Sequence, residues 1–252
     1  MAFNDPSAVR VYRINRDFTP GEEVQQPSPI DAGIYAHQVR TTPDNRLAIL
    51  VTRGNPATAT KAGDPGALKV FDYRNGLLTK EVSIAPNGGK DFGSRHLDFH
   101  LFKPWMYVSI ETQNKMFTYL IEGGRINSEI AFREETWAEP NNIRARQAAG
   151  TVHVHPNGRF LYGANCADAT VEFRASKSSK AVKQHRGVRD QSINRRADPD
   201  PAYRDHKIFL CTFHIDTDGR LLVAEYNLPV NVQDGDRVKT VPADFVGVPH
   251  WR

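Results

Sequence analysis

A short motif occurs four times along this chain of 252 residues, and that repeat constrains the fold more than any other feature. Each copy is an apolar strand, a turn rich in Pro, Asp, Asn or Gly, and a second apolar strand. The four copies align without gaps and cover residues 40–51, 98–109, 153–164 and 214–225. The DNR, NGR and DGR turns in three of them favour tight hairpins. The repeat therefore predicts a chain built from antiparallel hairpins.

Further strands are indicated outside these copies by alternating apolar and polar residues at 9–15, 67–84 and 114–130. Helical periodicity is nearly absent, and residues 133–148 are interpreted as an inserted loop. Two hairpins per repeat make a four-stranded antiparallel sheet, and repeated sheets of this kind predict an all-β protein, a β-propeller. The copies are 55 to 61 residues apart, which exceeds the usual spacing of about 40–50 residues and requires long loops. A β-sandwich is the alternative.

Composition excludes several classes of protein. No apolar run is long enough for a transmembrane helix, and the first residues lack the apolar core of a signal peptide. Cys166 and Cys211 are too few for a disulfide framework or a zinc site. The segment Gly88-Gly89-Lys90 is too short for a phosphate-binding loop. We therefore expect a cytoplasmic protein with no cofactor and no membrane partner.

The positive net charge of the chain, +4, is confined to one stretch. Residues 174–207 hold ten Lys or Arg and four Asp or Glu, whereas the remainder holds 23 and 25. Tyr203 is the sole aromatic residue of that stretch, so it lacks the stacking platform of a single-strand nucleic-acid site. We therefore predict no nucleic-acid partner. Residues 174–211 are instead an anomalous basic stretch.

The codons permitted for this stretch offer an explanation of it. When the codons permitted for residues 183–201 are translated from their second base, they allow the sequence NSIAVFAINQSTGEPTLI. This sequence is a strand, a turn and a strand, as a propeller blade requires. Read from the third base, codons for residues 177–183 allow VFKGGE. We therefore interpret residues 174–211 as frame-shifted. The alternative is a genuine basic insertion that is disordered.

Three segments resemble the blades of a known family. Their sequences are GIYAHQVRTTPDNRLAILVTRGN (33–55), GSRHLDFHLFKPWMYVSIETQNKMFTY (93–119) and GTVHVHPNGRFLYGAN (150–165). They are similar to the lactonase family of seven-bladed β-propellers, which includes the 6-phosphogluconolactonases and the fungal carboxy-muconate cyclases. The resemblance covers residues 1–173 and about 212–243. It implies that residues 1–252 form a single partial propeller domain with about four to five of seven blades.

The resemblance also implies where the chemistry lies. Sites of such propellers line the central channel, and Arg95, His96 and Glu111 match the family's most specific run residue by residue. The alignment of the repeats gives one equivalent channel position per blade: His37, Arg95, Gly150 and Cys211. Cys211 stands where the family has an arginine, which argues against activity of this chain.

These residue types suit the opening of a lactone. The reaction requires a base that activates water and a donor that stabilises the developing oxyanion. We therefore predict catalytic roles for His37, Arg95 and Glu111, with His37 or Glu111 as general base and acid. Arg95 and His96 are expected to bind the substrate, since arginine grips carboxylates and phosphates bidentately. For His37 the alternative is a structural role, and for His96 it is a hydrogen bond between blades.

The remaining candidates are expected to be structural. His100, His153 and His155 lie in or beside turns, and no ligand triad emerges from them, so no metal site is predicted. Cys166 is interpreted as a core residue. Core packing is also expected for the aromatic residues at alternate strand positions, namely Trp105, Tyr107, Phe160 and Tyr162.

The leading hypothesis is a fragment of a lactonase-like hydrolase of carbohydrate metabolism. Its intact relative would open a sugar lactone such as 6-phosphogluconolactone, so the expected partner is a small-molecule lactone or an anionic sugar acid. Three alternatives stay open: an inactive fragment of a disrupted gene, a muconate-type lactonising cyclase, and a propeller scaffold without catalysis.

Overall fold

Strands dominate the computed structural model of the chain, which describes residues 1–136, 147–167 and 207–226. In this part of the chain one short 3-10 turn, Pro86–Gly89, interrupts them. The sheets in the described residues are antiparallel, and this architecture confirms the all-β prediction. No helix within the described ranges has the length and the apolar character needed to cross a membrane.

Three four-stranded sheets form successive blades, and they follow two short two-stranded sheets. The short sheets pair β1 (Ala2–Asn4) with β2 (Ser7–Val9) and β3 (Tyr12–Ile14) with β4 (Pro20–Glu23). The first blade contains β5 (Ala36–Thr41), β6 (Leu47–Thr52), β7 (Ala67–Arg74) and β8 (Leu77–Ile84). The second contains β9 (Ser94–Phe99), β10 (Trp105–Ile110), β11 (Lys115–Glu122) and β12 (Arg125–Glu135). The third contains β13 (Gln147–Val154), β14 (Phe160–Ala167), β15 (Lys207–Ile215) and β16 (Leu221–Tyr226).

The predicted turns close these hairpins. In the first blade, the hydroxyl of Thr42 donates to the Asp44 carboxylate at 2.6 Å, and Asn45 adopts a left-handed φ of 55°. The later turns place Gly158 and Gly219 at φ values of 68° and 88°. Glycine has no Cβ, and asparagine tolerates this region better than most residues. The DNR, NGR and DGR signals therefore specify the turns that the repeat requires.

The fourth copy of the repeat does not begin a blade of its own, which corrects the prediction from the alignment. Strand β15 pairs with β14 over Phe160–Ala167. The hairpin at 214–225 therefore supplies the third and fourth strands of the third blade. Packing explains this placement, because Phe213 and Leu221 are buried in the same apolar cluster as Leu161.

Cys211 consequently lies within β15, opposite Gly163 of β14. It is in the third strand of a blade and not at the channel position that the alignment gave it. The argument that a cysteine replaces a channel arginine is therefore wrong for this structure. Residues 207–211 of the basic stretch belong to β15, whereas the remainder of 174–211 lies outside the described residues, so its interpretation stays a prediction.

Neighbouring blades enclose apolar cores because alternate residues of a strand face opposite sides of the sheet. Ile49 of β6 packs in one cluster with Val108 of the second blade. Leu50, on the other face of β6, packs in a cluster with residues of the N-terminal strands. Tyr107 of the second blade is fully buried in a third cluster with Leu161 of the third blade. The first and second blades thus pack on both of their faces.

The predicted core aromatics differ in their burial. Tyr107 is fully buried, and Trp105 is half-buried against the same cluster. Phe160 and Tyr162 are half-buried beside the ring of His155, with ring centroids 6.1 and 6.0 Å from it. The expected core role therefore holds fully for Tyr107 and in part for the other three.

One carboxylate connects all three blades. The first strands β5, β9 and β13 lie side by side, as strands around a propeller axis do. Asp98 of β9 places Oδ1 at 2.7 Å from Arg40 Nη1 of the first blade. Its Oδ2 accepts the backbone N–H of Val154, in the third blade, at 2.8 Å. The side chain of Asp98 is 12% exposed and that of Arg40 is 39% exposed, so the carboxylate is shielded from water more than its arginine partner is.

Replacing Asp98 by alanine is expected to lower the free energy of unfolding by about 2–3 kcal/mol, because Arg40 and the Val154 N–H both lose their acceptor. Urea denaturation measures this change. The matched control is Asp72→Ala, which removes a surface ion pair with Lys80 and is expected to cost less than about 1 kcal/mol. A loss in Asp98→Ala no larger than in the control would contradict the bridging role.

Candidate functional site

The predicted site residues lie where the first two strands of a blade reach the same end of the sheet. His37 is near the start of β5, Arg95 and His96 are near the start of β9, and Glu111 directly follows β10. Because β9 and β10 are antiparallel, the start of one lies beside the end of the other. The structure therefore brings these four residues, from two blades, to one region.

A backbone contact holds Glu111 in place. Its N–H donates to the carbonyl of Gly93 at 2.7 Å. Gly93 has a φ of 53°, and a Cβ there would collide with the side chain of Thr112, so the position requires glycine. The first blade makes the equivalent contact, in which the N–H of Arg53 donates to the carbonyl of Tyr35 at 3.0 Å.

Arg53 is a residue of this site that the sequence reasoning missed. It precedes Glu111 by 58 residues, the same separation as between His37 and Arg95. The repeat distance, applied to Glu111, is the signal that would have found it. Arg53 Nη1 lies 3.2 Å from Glu111 Oε1, and Arg95 Nη1 lies 3.1 Å from Glu111 Oε2. We refer to His37, Arg53, Arg95, His96 and Glu111 together as the charged cluster.

The two histidines of the charged cluster are in direct contact and uncharged at neutral pH. Their rings meet edge to face, with centroids 4.6 Å apart. Burial, and then the nearby His96, Arg95 and Arg53, lowers the pKa of His37 from 6.5 to about 4. Burial likewise lowers the pKa of His96. Desolvation and neighbouring positive charge both disfavour the imidazolium form, so the neutral form prevails.

Three buried atoms of the charged cluster have no hydrogen-bond partner among the described residues: His37 Nδ1, Arg95 Nε and Glu111 Oε2. The contact of Glu111 Oε2 with Arg95 Nη1 is therefore an ion pair without the geometry of a hydrogen bond. Burying a donor or an acceptor without a partner is costly. Because all three atoms are closed to solvent, a ligand could pair with them only after the side chains that cover them move.

His96 also has the hydrogen bond between blades that was its alternative role. Its Nδ1 lies 3.3 Å from the carbonyl of Gly150 in the third blade. Since a carbonyl can only accept, this nitrogen carries the proton. The Ser109 hydroxyl donates to the same carbonyl at 2.6 Å. Gly150, the channel position of the third blade, thus contributes its backbone oxygen and orients the His96 ring.

Two further histidines make the structural contacts that the sequence predicted. His100 Nε2 donates to the carbonyl of Gly158 at 2.9 Å, and its Nδ1 accepts two backbone N–H groups at 3.0 Å. His155 Nδ1 accepts the N–H of Asn157 at 3.1 Å. His153 is largely exposed, 4.0 Å from Asp98. Within the described ranges no three His, Cys, Asp or Glu side chains come together as a metal site.

The charged cluster combines neutral imidazoles, one carboxylate and two guanidinium groups at the ends of strands from adjacent blades. Sites of this composition can remove a proton from water and hold an anionic group. The blades themselves define an antiparallel β-propeller with a polar site at its strand ends. The chain belongs to the lactonase family of seven-bladed β-propellers, since the family model described as Lactonase, 7-bladed beta-propeller matches residues 4–192.

The individual proteins that this chain resembles share only low sequence identity with it. The chain is 26% identical over 161 residues to the 6-phosphogluconolactonase of Bacillus subtilis, a match covering 62% of this chain and 43% of that protein. The crystal structure of a Lactobacillus plantarum protein has 16% identity and a TM-score of 0.49, covering 86% of this chain and 50% of that one. The periplasmic gluconolactonase of Pseudomonas aeruginosa has 18% identity and a TM-score of 0.46, covering 90% and 64%. The chain thus spans less than half the length of the Bacillus subtilis protein.

We expect the His37 imidazole to stay neutral in the folded chain down to about pH 4, whereas the unfolded chain protonates at the ordinary pKa of 6.5. The unfolded state therefore binds more protons between these values, and the free energy of unfolding falls as the pH is lowered from 6.5 to 4. Titration of the imidazole ¹⁵N signals by NMR gives the pKa directly. In His37→Gln the fall in stability should be shallower, and a His37 pKa of 6.5 or above would contradict this account.

Proposed function

We propose that the charged cluster is the active site of a hydrolase that opens a sugar lactone. The observation that carries this proposal is the meeting of a neutral His37, the Glu111 carboxylate and two arginines at one end of adjacent blades. Membership of the lactonase family supports the reaction class. The similarity to a 6-phosphogluconolactonase supports a sugar lactone, 6-phosphogluconolactone being the candidate.

The proposed reaction uses these groups in a definite order. His37 or Glu111 takes a proton from water while the water oxygen bonds to the lactone carbonyl carbon. The carbonyl oxygen becomes an oxyanion, which Arg95 stabilises. As the oxyanion collapses, the bond between the carbonyl carbon and the ring oxygen breaks. The protonated base returns its proton to that oxygen, and the product is the open hydroxy acid.

The charge of the site favours an anionic substrate or product. With both imidazoles neutral, two guanidinium groups face a single carboxylate. The remaining positive charge suits a phosphate or carboxylate group. A bound anion would also offset the arginine charges that help to lower the pKa of His37. Substrate binding would thereby make His37 a stronger base.

The reverse reaction is the second candidate function. A muconate-type cyclase would use the same base and arginines to close a lactone from an open acid, with protonation at carbon. Both reactions pass through an anionic species next to Arg95, so the same groups serve either direction. An assay with a lactone and with an unsaturated diacid separates the two. The proposal includes three further statements about the protein. It binds a small-molecule lactone or an anionic sugar acid, it acts in carbohydrate metabolism, and it is located in the cytoplasm.

Glu111→Gln and Arg95→Met are expected to lower kcat/KM for lactone hydrolysis by about 10²- to 10³-fold, because each removes a group that acts on the reacting atoms. The assay follows acid release from 6-phosphogluconolactone and gluconolactone above the spontaneous rate. The matched control is Arg133→Gln, which removes an arginine stacked over Phe117 of the second blade, outside the cluster. Its rate should equal that of the wild type.

Two results would contradict the proposal in different ways. Unchanged turnover in Glu111→Gln and Arg95→Met would show that the site lies elsewhere. A folded wild-type chain that opens neither lactone would favour an inactive chain or a binding scaffold.

A further inference from the structure

Two arginines from different blades share one carboxylate in the charged cluster. Arg53 of the first blade contacts Glu111 Oε1 at 3.2 Å with a hydrogen bond, and Arg95 of the second blade contacts Oε2 at 3.1 Å without one. An arginine and a carboxylate that meet alone tend to form two parallel hydrogen bonds. The pair of Arg95 and Glu111 does not, and Arg95 Nε has no partner among the described residues.

Arg53 is itself held by an aromatic ring. Its Cζ lies 3.9 Å from the centroid of Tyr35, a distance at which the guanidinium is attracted to the face of the ring. The same two residues are joined through the backbone, since the N–H of Arg53 donates to the carbonyl of Tyr35. The ring contact and the backbone hydrogen bond therefore fix the position of Arg53 in the first blade. From this position its guanidinium contacts Glu111.

The backbone of Tyr35 is strained in a way that points to a function for its side chain. Tyr35 has a φ of 58°. The equivalent residue of the second blade, 58 positions later, is Gly93, with a φ of 53°. A left-handed conformation is natural for glycine and a genuine outlier for a bulky residue. Strain of this kind persists where the surrounding structure requires the residue, and here the ring of Tyr35 supports Arg53.

We propose that Arg53, supported by Tyr35, is a positioning residue that holds Glu111 away from bidentate pairing with Arg95. The contact of Arg53 with Oε1 keeps the carboxylate turned, and the Nε–H of Arg95 stays without a protein partner among the described residues. Without Arg53, the carboxylate would rotate onto Nε and Nη1 of Arg95, and a substrate that binds Arg95 would have to displace it. The part of this proposal that concerns substrate rests on the proposed lactone hydrolysis, whereas the part that concerns Arg95 does not.

The Arg53→Gln variant tests the positioning role without any substrate. Bidentate pairing restrains rotation of a guanidinium about its Cζ–Nε bond, and NMR exchange spectra of the arginine side chains measure that rotation. The signal of Arg95 is assigned by its loss in Arg95→Lys. In Arg53→Gln we expect rotation of Arg95 to slow by about tenfold, as a charge-assisted hydrogen bond forms. Arg133→Gln is the matched control and should leave the rotation unchanged.

A second variant guards against failure of Arg53→Gln to fold. Tyr35→Leu keeps Arg53 but removes the ring that supports it, and it should slow the rotation of Arg95 in the same direction by a smaller factor. Rotation of Arg95 that is unchanged in folded Arg53→Gln and in Tyr35→Leu would overturn the positioning role.

Kinetics then distinguish this proposal from the proposed function. If lactone hydrolysis is confirmed, Arg53→Gln should raise KM by about tenfold because the substrate must displace Glu111 from Arg95. A rise in KM of similar size in Arg133→Gln would overturn the kinetic part of the proposal. If the wild type opens no lactone but Arg95 rotates more slowly in Arg53→Gln, the hydrolase proposal fails and the positioning role stands.

Discussion

The burial of both faces of the first and second blades is the constraint on which the rest of this structure depends. A four-stranded sheet with apolar residues at alternate positions on both faces is stable only between two neighbours. Ile49 and Leu50, adjacent in β6, belong to different cores for this reason. The stacking of blades brings the first strands together, so that Asp98 can bind Arg40 and the backbone of Val154 at once.

The charged cluster is a consequence of the same stacking. His37 and Arg53 come from the first blade and Arg95, His96 and Glu111 from the second, so neither blade carries the cluster alone. Packing the blades removes water from the histidines, which lowers the pKa of both. The positive charges are held beside neutral imidazoles because Glu111 lies between the two arginines. Electrostatics at this site therefore follow from packing.

The repeat allowed much of the fold and part of the site to be predicted from the sequence. It located the hairpins and gave His37 and Arg95 equivalent positions. The same repeat distance relates Arg53 to Glu111, but neither the family's most specific run nor the channel register of the repeats includes Arg53. The hairpin at 214–225 was misplaced because its strand–turn–strand pattern is the same at the start and at the end of a blade. Periodicity identifies strands, but it does not say which strand each one pairs with.

The sequence by itself determined the all-β class, the turns at Asn45, Gly158 and Gly219, and the residue types available for chemistry. These follow from local properties, namely side-chain alternation and the backbone freedom of glycine and asparagine. Only the tertiary structure decided that two arginines meet one carboxylate and that Cys211 lies in a third strand. Those outcomes depend on contacts between residues far apart in the chain, and such contacts are set by the packing of blades, which no local pattern encodes.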